Sequence, residues 1–560
     1  MPEIWQDIAE RKQRQRAERI PKAWLLRSEY SNGASSSKSV LDVPRKCGIL
    51  TSKELHITED LDATDLVAQL ATGKLKSVEV VTAFCKRAAI AQQLVNCLTE
   101  IFFEDAISRA KELDEQVQKT GKPVGLLHGL PLSIKDSFKV KGYDASVGVA
   151  GFCFKPATIN SALVDLLLKQ GAVLYCKTNV PLTMMALDSH NNVFGRTLNP
   201  ANRLLTAGGS SGGEGALVAM RGSPLGIGTD VGGSIRIPAM CNGLVGVKPS
   251  HGRVPYAGQE GGALPGSSKL GIESTAGPIA RNVRDCEMLL RAVGESSPWL
   301  LDSDVIPQSW DQQSPLTAQS PCQPLRVGIV RTDGHVTPLP PIQRLLGEVA
   351  GALQAYGAVE VIEVDISSLG PRLLKVFNGV MSIDGANTWF DHLELTGEPL
   401  SPWLAGRLKR RPQKPLDEVR NLQAQKLDLQ SEIQKIWREN NLDIMVLPVA
   451  PHPTPKTDSW NSTNYTSALN LLDLPSGVLP VRKFREADTQ GELPDGPPLN
   501  GWDKINRGIW TDDRAVFIGS MMSVQVVAPK LMDRKLVESM AVLEKALAPL
   551  KDGPGKASKL

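Results

Sequence analysis

The stretch TDVGGSIRIP, Thr229–Pro238, sets Ser234 directly behind two glycines. Glycines let backbone amides approach a reacting carbonyl without side chains in between, so the arrangement suits a nucleophile with an oxyanion site beside it. A serine hydroxyl attacks poorly until a base takes its proton, and no histidine lies nearby in the sequence. A second cluster, GGSSGGEGA (Gly208–Ala216), carries Ser210 and Ser211, and PLSIKD carries Lys135.

Three chemistries compete for these residues. A phosphate-binding loop needs G-x-x-x-x-G-K-[ST], which neither glycine cluster supplies, and G-x-G-x-x-G is also missing. An α/β-hydrolase elbow needs G-x-S-x-G, which GGSSGG satisfies at both Ser210 and Ser211; an esterase of that kind would pair one of them with a histidine. Such a serine sits at the tip of a strand, and NRLLTAGGSS offers a poor one. The third chemistry joins both serine clusters to the lysine. A hydroxyl donates and accepts at once, so one serine can relay a proton from an attacking serine to an amine.

The elements that must position these groups are legible in outline. In GLPLSIKDSF, Leu132 and Ile134 share one face of a strand, which puts Ser133 and Lys135 on the other. SVEVVTAFCKRAAIAQQLVNCLTE reads as a helix capped by Ser77, with Glu79 in its first turn. NSALVDLLLKQGAVLYCKTN reads as a helix, a stop at Gly171 and a buried strand over Val173–Cys176. Helices are expected from about Glu214 and near Ser234, where Pro238 is tolerable close to the helix start. This alternation of strands and helices predicts an α/β fold. The polar, proline-rich segments 300–324 and 486–513 read as a surface crossover and an insertion.

Of the 560 residues, 41% are apolar and 22% charged, enough for a large core, and the net charge of +3 supplies no field for nucleic acid or an anionic membrane. No apolar run is long enough to span a bilayer. The N-terminal helix mixes Glu3, Asp7, Glu10 and Glu18 with its arginines, unlike a secretory signal or a transit peptide. Eight scattered cysteines form no C-x-x-C pair and the histidines no H-x-x-x-H, so neither a zinc site nor a cofactor is expected. The sequence closes on Ser558-Lys559-Leu560, the tripeptide read by the peroxisomal import receptor, which predicts a peroxisomal location.

Lys135 in PLSIKD, GGSSGGEGA and GTDVGGSIRIPA, in this order and spacing, resemble the amidase signature family over about 123–278. FCKRAAIAQQLVNCLTE and GRTLNP resemble its fungal acetamidase-type branch, and a thinner likeness runs through LDIMVLPVAPHPTP and MSVQVVAPKLMDRKLVESM. The resemblance implies a large twisted mixed β-sheet with α-helices on both faces. It implies one catalytic domain over 61–550, a helical N-terminal extension over 1–60 packed outside it, and a flexible tail over 551–560. It also implies a Ser–Ser–Lys triad: Ser234 as acyl-forming nucleophile, Ser210 as bridge behind a cis peptide bond, and Lys135 as base. The amides of Val231, Gly232, Gly233 and Ser234 would form the oxyanion hole, and Met184 in TNVPLTM would line the acyl pocket. The substrate would be a carboxamide, small and aliphatic or aromatic, with a larger acyl or secondary-metabolite amide as the alternative. Family members are often dimers, so a homodimer is a further expectation.

An exposed lysine has a pKa of about 10.4 and is protonated near neutrality, so the relay requires Lys135 to be buried. Singly, Lys135 could be a surface lysine, Ser210 a loop hydroxyl and Ser234 a helix cap; jointly, in register, they read as catalytic. Ser211, Asp230 and Arg236 are expected to hold the loops, and His128 and His251 to be structural.

Overall fold

The computed structural model describes residues 3–31, 39–262, 266–316, 324–460, 462–511 and 513–551. The Ser-Lys-Leu tail lies outside the described residues.

Thirteen strands are formed among these: β1 Leu98–Ile101, β2 Pro131–Lys135, β3 Val173–Thr178, β4 His190–Asn191, β5 Gly195–Arg196, β6 Leu225–Asp230, β7 Val245–Lys248, β8 Thr275–Ala280, β9 Leu325–Val330, β10 Val359–Val364, β11 Ile444–Pro448, β12 Ser476–Lys483 and β13 Met521–Val527. β4 and β5 make a small hairpin, and the other eleven form one sheet in the order β1-β3-β2-β6-β8-β7-β12-β13-β11-β9-β10. β2 runs parallel to both β3 and β6, and β9 parallel to β10 and β11; the remaining neighbours are antiparallel. The sheet is therefore mixed, as expected.

Strand alternation sorts the apolar side chains to two sides. Leu132 and Ile134 of β2, Leu225 and Ile227 of β6 and Val524 and Val526 of β13 join one core with the helices Ala162–Lys169, Val283–Gly294, Pro340–Ala355 and Asp533–Ala546. On the opposite face, Val173 and Tyr175 pack with the helices Ser77–Val95 and Gly212–Ala219. Met445, Leu447 and Val527 pack there with Gly370–Met381 and Leu416–Glu439. Helices thus cover both faces, and the polar side of β2 looks toward the helix Gly212–Ala219.

Several local expectations are corrected. Ser77 opens its helix without capping it. The Asp114 carboxylate accepts the N–H of Ser77 at 2.7 Å and of Val78 at 3.0 Å, a cap supplied by another helix, and the Ser77 hydroxyl has no hydrogen-bond partner among the described residues. The helix expected near Ser234 runs Arg236–Asn242, two residues later, because Gly233, at φ +130°, keeps the chain out of helical geometry. The 300–324 crossover is not all surface, since Trp310 is buried in the main core. The 486–513 segment carries a helix of its own, Gly501–Thr511, which buries Trp510 in the same core.

The N-terminal extension does more than lie outside the domain. Its helix Trp5–Glu18 pushes Lys12 into the interior, where Nζ meets Asp144 at 2.6 Å and pairs with Glu100 of β1. Only 2% of Lys12 remains exposed.

Candidate active site

β2 ends at Lys135, at one rim of the sheet. Its Nζ lies 2.7 Å from Ser210 Oγ and 2.7 Å from Thr229 Oγ1, and the side chain is fully buried. Removal from water disfavours the ammonium and holds its pKa down to about 7, against the pull of Asp230, Glu214 and Asp136. An amine of that strength is a free base for about half the molecules at neutral pH.

Ser210 enters from the loop that precedes the helix Gly212–Ala219, behind a cis Gly209–Ser210 peptide. No strand precedes it; Leu205 and Thr206 make only isolated bridges. Ser211, next in the chain, is spoken for by backbone: its hydroxyl donates to the Thr229 carbonyl at 3.4 Å and accepts the Thr229 N–H at 3.3 Å. The Ser211 N–H donates to the Ser234 carbonyl at 3.2 Å, which ties the two serine loops together. Ser234 is largely buried on the loop after β6. Lys135 and Ser210 are thus in direct contact, and Ser234 stands on a loop tied to that of Ser210 through the Ser211 N–H.

That loop is held by Asp230. Its Oδ1 accepts the Gly233 N–H at 2.7 Å and its Oδ2 accepts the Ile235 N–H at 3.1 Å. Arg236 donates Nε to Oδ2 and Nη2 to Oδ1, and Asn470 Nδ2 adds a donor at 2.9 Å. Burial alone would push the Asp230 carboxyl up, but the Arg236 guanidinium and these donors hold it well below the usual carboxylate range. Thr466 Oγ1 donates to the Gly232 carbonyl at 2.6 Å and pins the loop from the helix Asn464–Leu471. Ser211, Asp230 and Arg236 therefore bind the loops, as expected. Of the four amides expected to face an oxyanion, that of Gly233 is already given to Asp230.

Met184 lies half-buried on the segment after β3, in a small apolar cluster with Leu182, Ala186 and Trp389. This segment runs beneath the cis peptide: a Cβ at Gly209 would stand 2.7 Å from the Ala186 carbonyl. The histidines find partners elsewhere: His128 with the Val124 N–H, His251 with Glu273, His452 with the Pro453 carbonyl. Among the described residues none is hydrogen-bonded to Ser210, Ser211 or Ser234. His251, Glu273 and Asp304 gather near the surface, but Lys269 Nζ already sits between the two carboxylates, at 2.8 and 2.5 Å.

Two polar groups of the site lie outside the set of site residues expected from the sequence. Thr229 is one; strict alternation along β6 groups it with Leu225 and Ile227, and only at the strand end does it meet Lys135. Glu214 is the other. Its fully buried carboxyl accepts from Ser133 at 2.5 Å and Thr178 at 2.8 Å, and burial pushes its pKa up to about 8. Gly226 makes room for it, since a Cβ there would stand 2.0 Å from Glu214 Oε2. The signal was available: Ser133 shares a face with Lys135, and a glutamate opening a glycine-rich helix needs a partner.

The family model described as Amidase matches residues 79–537. The chain is 38% identical to the acetamidase of Aspergillus oryzae over 95% of its own length and 96% of the relative's. It is 37% identical to the acetamidase of Emericella nidulans over 96% and 97% of the two chains. Among solved structures, a fatty acid amide hydrolase superposes with a TM-score of 0.87 at 29% identity, covering 97% of this chain and 95% of that one. The chain belongs to the amidase signature family and is an amidohydrolase, a hydrolase of linear amide C–N bonds, with the acetamidases among its relatives.

Proposed function

We propose that the protein hydrolyses small carboxamides through an acyl-enzyme on Ser234, with Ser210 relaying the proton to Lys135. The observation that carries this reading is the buried contact between Lys135 Nζ and Ser210 Oγ at 2.7 Å. Neutral Lys135 takes the Ser210 proton as Ser210 takes that of Ser234, whose oxygen bonds to the amide carbon. The oxyanion is met by backbone amides; with that of Gly233 engaged, those of Val231, Gly232 and Ser234 are the donors. The relay then reverses. The Lys135 ammonium returns its proton through Ser210 to the leaving nitrogen, the C–N bond breaks, and ammonia or an amine departs. Water repeats the cycle on the ester and releases the carboxylate. No step calls for a metal or an organic cofactor.

The likeness to two acetamidases, nearly full-length at 37 and 38% identity, supports a small amide as the substrate, aliphatic or aromatic in our reading, with Met184 lining the acyl pocket. The shape shared with a fatty acid amide hydrolase makes a long-chain amide the alternative. Turnover of acetamide and benzamide against oleamide separates the two.

Intact-protein mass after a fluorophosphonate probe tests the relay. The adduct is expected on Ser234, absent in Ser234→Ala and strongly reduced in Lys135→Ala. An adduct on Ser210 or Ser211 that survives Lys135→Ala would sink the reading in favour of a histidine-dependent esterase. We further read Ser558-Lys559-Leu560 as a peroxisomal address, checked by whether a fluorescent fusion loses its punctate location without the tripeptide.

A further inference from the structure

We propose that Thr229 is a positioning residue that aims the Lys135 lone pair at Ser210 and strengthens the amine as a base. The inference rests on the Ser–Ser–Lys reading above.

A free amine has two N–H bonds and one lone pair, and Lys135 Nζ faces two hydroxyl oxygens at the same distance, 2.7 Å. To take a proton from Ser210, the lone pair must point at Ser210 and not at Thr229. That orientation is selected if one N–H is donated to Thr229 Oγ1. Without that acceptor, rotation about the terminal C–N bond would turn an N–H toward Ser210 as readily as the lone pair, and a donated N–H cannot accept a proton.

Thr229 is built to hold still. It pairs with Ala276 in the β6–β8 ladder, and both its N–H and its carbonyl engage the Ser211 hydroxyl. Its β-branched side chain is stiff at χ1. Ser211 thereby gains a role, since it fixes the backbone that carries the Lys135 acceptor.

Once Lys135 is protonated, Thr229 accepts from an ammonium, a stronger bond than from an amine. The other groups facing this proton are engaged elsewhere. Asp136 faces Lys177, Asp230 is gripped by Arg236 and Asn470, and Glu214 accepts from Ser133 and Thr178. The Tyr256 phenol, its proton held by burial, lies against the Thr229 hydroxyl. Two neutral hydroxyls are therefore the direct partners of Nζ, one the relay and the other its guide.

The test is the second-order rate of fluorophosphonate inactivation against pH, for the wild type, Thr229→Val, Thr229→Ser and Lys135→Ala. In this reaction the Ser234 Oγ–P bond forms, the P–F bond breaks, fluoride leaves, and the serine proton passes through Ser210 to Lys135. It needs no knowledge of the natural amide. Thr229→Val is expected to lower the plateau roughly 10- to 100-fold. It should also move the acid limb down by about one pH unit, because the ammonium loses an acceptor. Thr229→Ser should restore both. Thr229→Ala, which adds no bulk, answers the same question should valine disturb the ladder. A variant without the hydroxyl but with the wild-type plateau and limb would overturn the inference, and so would a lowered plateau with an unmoved limb, which marks packing alone. Lys135→Ala reacting like the wild type would instead overturn the Ser–Ser–Lys reading itself.

Discussion

Asp230 and Arg236 meet through both arms of the guanidinium, Nε to Oδ2 and Nη2 to Oδ1, each at 3.0 Å, with neither side chain exposed. The pair spans the loop that carries Ser234, and the same carboxylate binds the Gly233 and Ile235 amides. Loop shape and charge balance are thus one structure. Arg236→Met leaves Asp230 buried without its cation, which is expected to cost about 3–5 kcal/mol. Arg236→Lys should recover only part of this, because lysine lacks the fork that meets both oxygens. Urea unfolding measures it; a loss under about 1 kcal/mol for Arg236→Met would mean the pair does not hold the loop.

Lys12 makes a similar statement about the N-terminal helix. It enters the interior between Glu100 and Asp144, and Asp144 also accepts the Phe154 N–H at 2.6 Å. Burial works against the Lys12 ammonium, but the two carboxylates outweigh it and raise its proton affinity. Lys12→Met should destabilise the protein by about 3 kcal/mol, because Asp144 loses its cation while Glu100 keeps Arg19. The double variant Lys12→Met/Asp144→Asn should recover part of that, since an amide oxygen can still accept the Phe154 N–H without a buried charge. If the single variant melts like the wild type, the helix is an outer decoration after all.

The pH–rate profile follows from Lys135. The proposed relay requires its base form, and burial holds its pKa to about 7, so kcat/KM is expected to rise tenfold per pH unit below about 7 and level off above it. A limb centred near 10 would show that Lys135 is solvated in solution.

Glu214 bears on stability rather than rate. Its folded pKa, about 8, lies above the ordinary carboxylate value, so the folded state binds the extra proton. The stability this contributes is fully present below about pH 4.5 and is lost as pH rises through about 8. Glu214→Gln has no such proton to lose. Its stability relative to the wild type should rise with pH across this window, by up to about 1.4 kcal/mol per unit. Parallel stability curves for the two proteins would mean that Glu214 is ionised when folded.

The sequence by itself determined the family and marked the residues to which the chemistry is assigned in the proposal. Gly-Gly-Ser, the paired serine loop and the distant lysine are local patterns, and the spacing of loops around β2 and β6 is written along the chain. It also assigned Leu132 and Ile134 to one face of β2 and Lys135 to the other, because strand alternation is a property of consecutive residues. Tertiary structure decided what depends on partners far apart in the chain. The cap on the Ser77 helix comes from Asp114, and Thr466 and Asn470 reach the Ser234 loop from more than two hundred residues away. Lys12 finds its anions on β1 and beyond it. Whether a lysine is a base or a surface charge is set by burial, and burial is a sum over neighbours that no local window contains.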